Sequence, residues 1–223
     1  MTTTLITGAN RGIGLALAEQ LLERGHQVIA VCRETSVELE ALDGVRVESG
    51  IDVTLSSGIA GLQARFEGQS IDWLINNAGV LRRSRLDDVE RQLDEFRLQF
   101  EVNALAPVRV TSALQSCLGN GSKVFIITSR MGSMADNTSG GHYAYRMSKA
   151  AVNSAGVSMA QDLRDQGIAV GLLHPGYVRT GMTGHTGHVD AGQAAAGLIE
   201  RMEALDLDTS GQFFHANGDH LPW

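Results

Sequence analysis

Residues 3–14 of the chain read TTLITGANRGIG. The first five of these residues are β-prone, and the rest form a glycine-rich turn that leads into a helical pattern of leucine and alanine. A second apolar run follows at residues 28–32. Strand, glycine turn, helix and strand in this order predict a βαβ unit, the building block of parallel sheets.

Each glycine of the turn has a physical reason. Gly8 allows the sharp turn off the strand, Gly12 lets the backbone approach a pyrophosphate, and Gly14 lets helix and strand pack closely. The helix that follows would present free N–H groups and a partial positive charge to phosphates. The stretch therefore predicts a dinucleotide site, although a glycine-rich turn without a ligand remains an alternative.

A second motif places Tyr145 and Lys149 four residues apart. On a helix such positions share one face. An ammonium beside a phenol favours the phenolate, so the pKa of the tyrosine is expected below its usual value of about 10. The pair would then serve as a general acid and base near neutral pH. Alone, this spacing more often marks a surface contact on a helix.

Composition excludes several classes of protein. The 223 residues fit one α/β domain, residues 1–223. A net charge of −7 and the absence of a basic stripe argue against nucleic-acid partners. The two cysteines predict neither a disulfide framework nor a zinc site, and His185 with His188 offers too few ligands for a metal. Met1 leads directly into the first strand, and no apolar run would span a bilayer, so we expect a cytoplasmic protein without membrane contact.

Apolar runs alternate with helical patterns along the whole chain, which predicts a parallel sheet covered by helices on both faces. Asn103 and Pro107 should bend the fourth helix, and Thr35 with Glu38 predicts a capping box on the second. The predicted strands are 3–7, 27–32, 45–48, 71–76, 123–128, 168–174 and 211–214. The predicted helices are 13–24, 36–42, 57–66, 88–117, 143–165 and 190–203.

The Gly-x-x-x-Gly-x-Gly spacing together with Tyr-x-x-x-Lys resembles the short-chain dehydrogenase/reductase superfamily. Four further motifs occur in that family's order: Asn76-Asn77-Ala78-Gly79, Asn103, Thr128-Ser129, and Pro175 to Thr180. Residues 129–141 and 211–214 resemble the carbonyl-reductase-like branch that includes the C-factor and Sniffer-type proteins. The resemblance implies a Rossmann-type doubly wound sheet of about seven strands in the order 3-2-1-4-5-6-7, with ligands at the carboxyl ends of the strands.

The resemblance also implies an oxidoreductase that transfers hydride between a nicotinamide cofactor and a carbonyl or alcohol. Tyr145 would exchange the proton, Lys149 would hold the pKa of the phenol down, Ser129 would donate to the substrate oxygen, and Asn103 would hold a water that links Lys149 to solvent. The cofactor contacts implied are Gly8, Asn10, Arg11, Gly12, Ile13, Gly14, Arg33, Asp52, Val53, Asn77, Ala78, Gly79, Tyr145, Lys149, Pro175, Gly176, Val178 and Thr180.

The end of the second strand decides between the two nicotinamide cofactors. NAD selectivity needs an acidic residue there, but Cys32 and Arg33 occupy the place. Arg33 and Arg11 would suit the 2′-phosphate of NADP, so NADP is predicted. NAD is the alternative, since a shifted register would bring Glu34 to that position. Asp52 either contacts adenine or caps a loop.

Other residues keep alternatives open. Ser129 ends the fifth strand and is the preferred catalytic serine, while Ser133 lies twelve residues before Tyr145 and is the alternative. His142 borders the pocket and either touches substrate or is solvated, and His174 is expected to make a structural hydrogen bond. The substrate lid, about residues 180–189, is short and polar, which predicts broad activity on aldehydes and ketones.

Two rival functions differ from a carbonyl reductase. Some relatives in this branch suggest a cofactor-binding signalling or redox-sensing protein with incidental turnover. An epimerase or dehydratase is disfavoured, because such relatives carry a substantial C-terminal lobe that this chain lacks. The habit of the family further implies a homodimer or homotetramer with small-molecule substrates.

Overall fold

The computed structural model describes residues 1–223 and contains one sheet of seven parallel strands. The strand order is 3-2-1-4-5-6-7, so the predicted topology is confirmed. Each strand pairs with its neighbours in parallel register; Leu5 of the first strand, for example, lies opposite Ile29 and Leu74. The strands are β1 Thr3–Thr7, β2 Gln27–Val31, β3 Arg46–Glu48, β4 Trp73–Asn76, β5 Lys123–Ile127, β6 Ala169–His174 and β7 Phe213–His215.

Helices cover both faces of the sheet, which explains why the strands are continuous apolar runs. Successive residues of a strand point to opposite faces, and Leu5 and Ile6 accordingly enter two different clusters of 22 buried residues each. The helices are α1 Gly12–Glu23, α2 Val37–Glu40, α3 Ser56–Phe66, α4 Leu93–Phe100, α5 Ala106–Ala113, α6 Tyr143–Asp162 and α7 Ala191–Ala204. None of them is both long and apolar enough to cross a membrane.

The long helix predicted at 88–117 is wrong as one element. Between α4 and α5 the chain forms a π-helical turn, Glu101–Leu105. The side-chain amide of Asn103 explains the break, because its Oδ1 accepts from the Val80 N–H at 2.8 Å and its Nδ2 donates to the Val80 carbonyl at 2.9 Å. Pro107, which has no N–H, follows in the first turn of α5. Short 3₁₀ segments occupy Leu86–Asp88, Glu90–Gln92 and Gln115–Cys117.

The predicted capping box of the second helix is also wrong. Ser36, not Thr35, caps α2, since its Oγ accepts from the Leu39 N–H at 3.1 Å. The same hydroxyl donates to the Asn10 carbonyl at 2.7 Å, which ties the start of α2 to the glycine turn. A contact between residues so far apart in sequence decides which residue becomes the cap.

The carboxyl ends of β1, β4, β5 and β6 meet at one edge of the sheet, where the glycine turn also lies. At this edge α1 approaches the neighbouring backbone closely. A Cβ placed on Gly14 would lie 2.3 Å from the Gly8 carbonyl oxygen and 2.5 Å from Nδ2 of Asn77. The helix can therefore pack here only with glycine at this position, which agrees with the role predicted from the sequence.

Gly14→Ala should lower the free energy of unfolding by about 2 kcal/mol or more, because the backbone of Gly8 cannot yield to the added methyl group. Gly61→Ala is the matched control, since Gly61 also lies inside a helix but has nothing within 4 Å of the added Cβ. We expect Gly61→Ala to stabilise the protein by about 0.5–1 kcal/mol. Urea unfolding followed by tryptophan fluorescence measures both. Equal stability of the two variants would contradict the close packing inferred at Gly14.

Candidate active site

The glycine turn leaves the start of α1 open. Gly8 and Gly12 have φ values of +67° and +54°, which favour glycine. Arg11 is the N-cap residue, and no side chain caps the helix. The unpaired N–H groups and the positive end of the helix dipole therefore face outward. An uncapped helix end beside a glycine turn suits the phosphates of a dinucleotide.

A clamp between Thr7 and Asn77 holds this turn against the end of β4. The Thr7 hydroxyl accepts from the N–H groups of Asn77 and Ala78 at 3.1 and 3.2 Å. The Asn77 side chain donates to the carbonyls of Thr7 and Gly8, each at 3.0 Å. Thr7 was not among the site residues predicted from the sequence. The sequence does show its hydroxyl side chain directly before Gly8 of the glycine turn. Because the side-chain amide of Asn77 donates to backbone carbonyls of the protein itself, Asn77 acts here as a positioning group.

The end of β2 carries an exposed arginine. Nη1 of Arg33 lies 3.9 Å from the Asp52 carboxylate, and the side chain is 67% exposed. Such an exposed pair contributes little to stability. Arg11 is exposed and makes no ion pair or side-chain hydrogen bond. Both guanidinium groups are therefore accessible at the side of the turn where a 2′-phosphate was predicted.

Asp52 shapes the loop that follows β3. One carboxylate oxygen accepts from the N–H of Thr54 at 2.9 Å and from its hydroxyl at 2.7 Å. Burial acts to raise the pKa of Asp52, but the hydrogen bonds from Thr54 and the charge of Arg33 outweigh it and hold that pKa below its usual range. The structure thus supports the loop-capping alternative for Asp52. Asn10 similarly serves the backbone, since its Nδ2 donates to the Glu34 carbonyl at 2.9 Å.

Tyr145 and Lys149 lie in the first two turns of α6 and are both buried. The Lys149 Nζ lies 5.8 Å from the centre of the Tyr145 ring and donates to the Ile127 carbonyl at 2.9 Å. The sequence therefore brings the pair together on one face, as predicted. The ammonium is bound to the end of β5 rather than to the phenol.

The predicted lowering of the Tyr145 pKa is wrong for this structure. Burial raises the pKa of Tyr145 to about 12, while a hydrogen bond with Ser129 acts in the opposite direction. Burial also lowers the pKa of Lys149 to about 8. Removal from water penalises the charged form of each group, and it is the largest cause of the shift of each pKa. At neutral pH the site therefore contains a protonated phenol and a mainly charged ammonium.

The two candidate serines have different surroundings. Ser129 lies beside the Tyr145 hydroxyl, and its Oγ also accepts from the Met131 N–H at 3.1 Å. Ser133 points its Oγ into the loop, where it accepts from the Asp136 N–H at 3.1 Å. Only Ser129 shares the space of the phenol, so the structure favours it over Ser133.

Asn103 supports Tyr145 through Ser148. The Asn103 Nδ2 donates to Ser148 Oγ at 3.1 Å, and Ser148 Oγ donates to the Tyr145 carbonyl at 2.8 Å. No hydrogen bond joins Asn103 to Lys149, so the water relay assigned to Asn103 stays a prediction. Gly79 separates the two, since a Cβ there would lie 3.4 Å from Asn103 Oδ1 and 3.9 Å from Lys149 Nζ.

The lid segment 180–189 begins against the glycine turn. A Cβ on Gly12 would lie 3.4 Å from the Thr180 methyl group, so the turn and the lid face each other. Val178 is buried and pairs with Val189 in an isolated bridge, which fastens both ends of the lid. The remaining predicted contact residues lie at this edge of the sheet: Ile13 in the first turn of α1, buried Val53, Ala78 against Gly8, and Pro175 with Gly176 after β6.

The structural hydrogen bond predicted for His174 is wrong. Its Nδ1 is buried without a partner, and its ring packs edge-on against His215 with centroids 5.0 Å apart. Burial, followed by the charges of neighbouring groups, lowers the pKa of His174 to about 3, so the ring is neutral. No group of three or more histidine, cysteine, aspartate or glutamate residues is arranged to hold a metal ion.

Comparison with known proteins gives consistent matches. The profile of a family described as short chain dehydrogenase matches residues 2–190. A Rhodococcus sp. (strain AD45) protein, 1-hydroxy-2-glutathionyl-2-methyl-3-butene dehydrogenase, is 42% identical over 100% of both chains. The C-signal protein of Myxococcus xanthus is 46% identical over 69% of this chain and 93% of its own. A carbonyl reductase from Pseudomonas aeruginosa PAO1, solved in complex with NADP, superposes with a TM-score of 0.88 at 33% identity and 100% coverage of both chains.

Proposed function

This chain belongs to the short-chain dehydrogenase family of oxidoreductases, and from that premise we propose that it is an NADP-dependent carbonyl reductase or alcohol dehydrogenase. One observation carries the proposal. Tyr145, Lys149 and Ser129 share a buried space at the same sheet edge as the open glycine turn. This arrangement places a proton donor, a cation and a hydroxyl donor where a nicotinamide held by that turn would meet a small carbonyl substrate.

The proposed chemistry divides between cofactor and protein. When bound, the reduced nicotinamide supplies the hydride that the protein itself cannot supply. Tyr145 is protonated at neutral pH and gives its proton to the carbonyl oxygen as charge develops there. The Lys149 ammonium, next to the phenol ring, stabilises the phenolate that remains. Ser129 donates to the same oxygen, a contact of the kind worth about 10²- to 10³-fold in rate.

Two arginines support NADP as the cofactor. Arg33 has only a long, exposed pair with Asp52, which a 2′-phosphate can replace with stronger charge-assisted hydrogen bonds. Arg11 lies in the glycine turn, as the N-cap residue of α1, and its side chain has no hydrogen-bond or ion-pair partner. The Glu34 side chain is exposed, and only its backbone carbonyl is held, by Asn10. The Pseudomonas carbonyl reductase with bound NADP is consistent with this choice.

Substrate, assembly and location remain proposals. The lid segment 180–189 is short, which favours small aldehydes, ketones or alcohols of varied shape. Leu98, Leu105 and Val108 are exposed apolar side chains on or between α4 and α5, and they suit a homodimer or homotetramer interface. The single domain 1–223 and the cytoplasmic location stay predictions of the sequence.

A second candidate is a signalling or redox-sensing protein that binds cofactor with incidental turnover. The similarity of this chain to the protein named C-signal is the observation that favours this second candidate. The proposed catalytic residues weigh against it, because nucleotide binding alone requires the glycine turn and not a buried tyrosine and lysine pair.

Tyr145→Phe should reduce kcat for an aldehyde such as hexanal by about 10³-fold, since the proton donor is removed. Its affinity for NADPH should change by less than about threefold, because the ring remains in place. Tyr143→Phe, two residues away on the same helix, is the control and should keep kcat within about threefold of the wild type. Steady-state kinetics and a fluorescence titration with NADPH give both values. Wild-type kcat in Tyr145→Phe would refute the proposed proton donor.

Arg33→Asp should weaken NADPH binding by about 10- to 100-fold, the loss expected for a charge-assisted contact to phosphate. NADH affinity should stay within about threefold, since NADH lacks the 2′-phosphate. Arg24→Asp is the control, because it makes the same change of charge at the other end of α1. There Arg24 pairs with Glu203 at 3.7 Å. Calorimetric titration of each variant with both cofactors decides the matter, and equal affinity of the wild type for NADPH and NADH would overturn the choice of NADP.

A further inference from the structure

A long stretch of chain joins the two proposed hydroxyl donors. Tyr145 follows Ser129 by sixteen positions, and we call residues 130–142, which fill most of this interval, the connecting segment. Its regular structure is limited to one 3₁₀ turn, Arg130–Gly132. So irregular a segment does not fix the distance between its two ends through its own backbone, and side-chain contacts have to do so.

The side chain of Arg146, the residue after Tyr145, supplies such contacts. It is half-buried and donates to four acceptors of the connecting segment. The Nε donates to the carbonyls of Gly140 at 3.3 Å and Gly141 at 3.2 Å, Nη2 to the Ser139 hydroxyl at 2.9 Å, and Nη1 to the Met131 carbonyl at 3.4 Å. Because a guanidinium carries five N–H donors in one rigid plane, it holds the beginning and the end of the segment together.

The end of the connecting segment has an unusual backbone that depends on these bonds. Gly140, Gly141 and His142 have φ values of +63°, +66° and +50° in succession. A non-glycine residue such as His142 rarely adopts this conformation, so the surrounding structure has to impose it. Arg146 contributes on both sides, since its backbone N–H donates to the His142 carbonyl at 2.9 Å while its side chain binds the two glycine carbonyls.

The contact with Met131 reaches the catalytic serine. The Met131 N–H donates to Ser129 Oγ at 3.1 Å, and the Met131 carbonyl accepts from Arg146. One residue thus separates the guanidinium from the serine hydroxyl, which lies beside the hydroxyl of Tyr145. Arg146 therefore links the turn that carries Ser129 to the helix that carries Tyr145.

A second arginine closes the middle of the segment, but in a different way. Arg130 Nε lies 2.8 Å from the Asp136 carboxylate, and the two side chains are 51% and 35% exposed. Such an accessible ion pair holds its partners weakly. Arg146 takes part in no ion pair, and all its side-chain bonds go to neutral oxygen atoms of the connecting segment. Its role is therefore to fix the shape of the segment rather than to neutralise a charge.

We propose that Arg146 is a positioning residue of the reaction, which joins Met131 to residues 139–141 and so holds the Ser129 hydroxyl where it and Tyr145 donate to one substrate oxygen. This inference rests on the proposed function, because it adds a residue to the same site. We assign Arg146 no contact with substrate or cofactor. Its effect is geometric, and a displacement of about 1 Å at a reacting group lowers a rate by as much as about 10²-fold.

The first test is kinetic, with hexanal as substrate and saturating NADPH. Arg146→Met should lower kcat by about tenfold or more and leave the affinity for NADPH within about threefold of the wild type. Arg146→Lys should recover part of the loss, since an ammonium reaches some of the four acceptors but lacks the planar fork. Arg164→Met is the control and should keep kcat within about twofold. Arg164 also donates to a backbone carbonyl, that of Leu207 at 2.7 Å, but lies beyond the other end of α6.

A double-mutant cycle with Ser129→Ala separates positioning from general loosening of the helix. When the serine hydroxyl is absent, Arg146→Met should change kcat by less than about threefold, because the group that it positions is gone. If Arg146→Met lowers kcat by the same factor with and without Ser129, or leaves kcat unchanged in both, the positioning role is overturned. The same cycle with Arg146→Lys decides the outcome if Arg146→Met does not fold.

The second test needs no turnover and follows the ¹³Cζ resonance of Tyr145, assigned from the spectrum of Tyr145→Phe. Ser129→Ala and Arg146→Met should shift this resonance in the same direction, since each weakens the contact of Ser129 with the phenol, and Arg164→Met should leave it in place. An unshifted resonance in Arg146→Met overturns the positioning role and leaves the proposed dehydrogenase standing. Matching shifts in a protein that reduces no carbonyl support the positioning of Ser129 and overturn the dehydrogenase.

Discussion

The burial of Tyr145 and Lys149 together on one face of α6 is the constraint around which the site is arranged. Removal from water drives their pKa values in opposite directions, to about 12 for the phenol and about 8 for the ammonium. The unbound protein therefore stores a proton on Tyr145 that neutral solution cannot remove. In our proposal this proton moves only when negative charge develops on a substrate oxygen beside it, or when a positive charge arrives next to the phenol.

The scaffold fixes this pair from three directions. The π-helical turn at Asn103 reaches Tyr145 through Ser148, with hydrogen bonds of 3.1 and 2.8 Å. The end of β5 binds Lys149 through the Ile127 carbonyl, and the segment after β5 presses against α6, where a Cβ on Gly132 would lie 2.7 Å from the Lys149 carbonyl carbon. The irregular backbone at Asn103 is thus part of how the site is held rather than a local defect.

The sequence indicated the fold and the residues of the candidate site because both depend on local patterns. Alternating apolar runs and one glycine turn predict a parallel sheet covered on both faces, and the family resemblance supplies the strand order 3-2-1-4-5-6-7 that the structure confirms. Arg11 lies in the glycine turn and Arg33 follows β2. The sequence could not show where long-range contacts override local preference. The Ser36 cap depends on Asn10, and the helix break at Asn103 depends on Val80. The pKa of Tyr145 was predicted with the wrong sign because the spacing to Lys149 reveals the charge nearby but not the loss of water, which is the larger effect.

The central claim is most directly tested by titrating Tyr145 itself. The chain has three tyrosines, so ¹³Cζ-tyrosine labelling with a Tyr145→Phe spectrum for assignment identifies its resonance. Without cofactor, the pKa of Tyr145 should lie near the value of about 12 that burial produces. With NADP⁺ bound, the added positive charge of the oxidised ring should lower that pKa by about two units or more. A Tyr145 pKa near 10 without cofactor, or one that NADP⁺ leaves unchanged, would contradict the account.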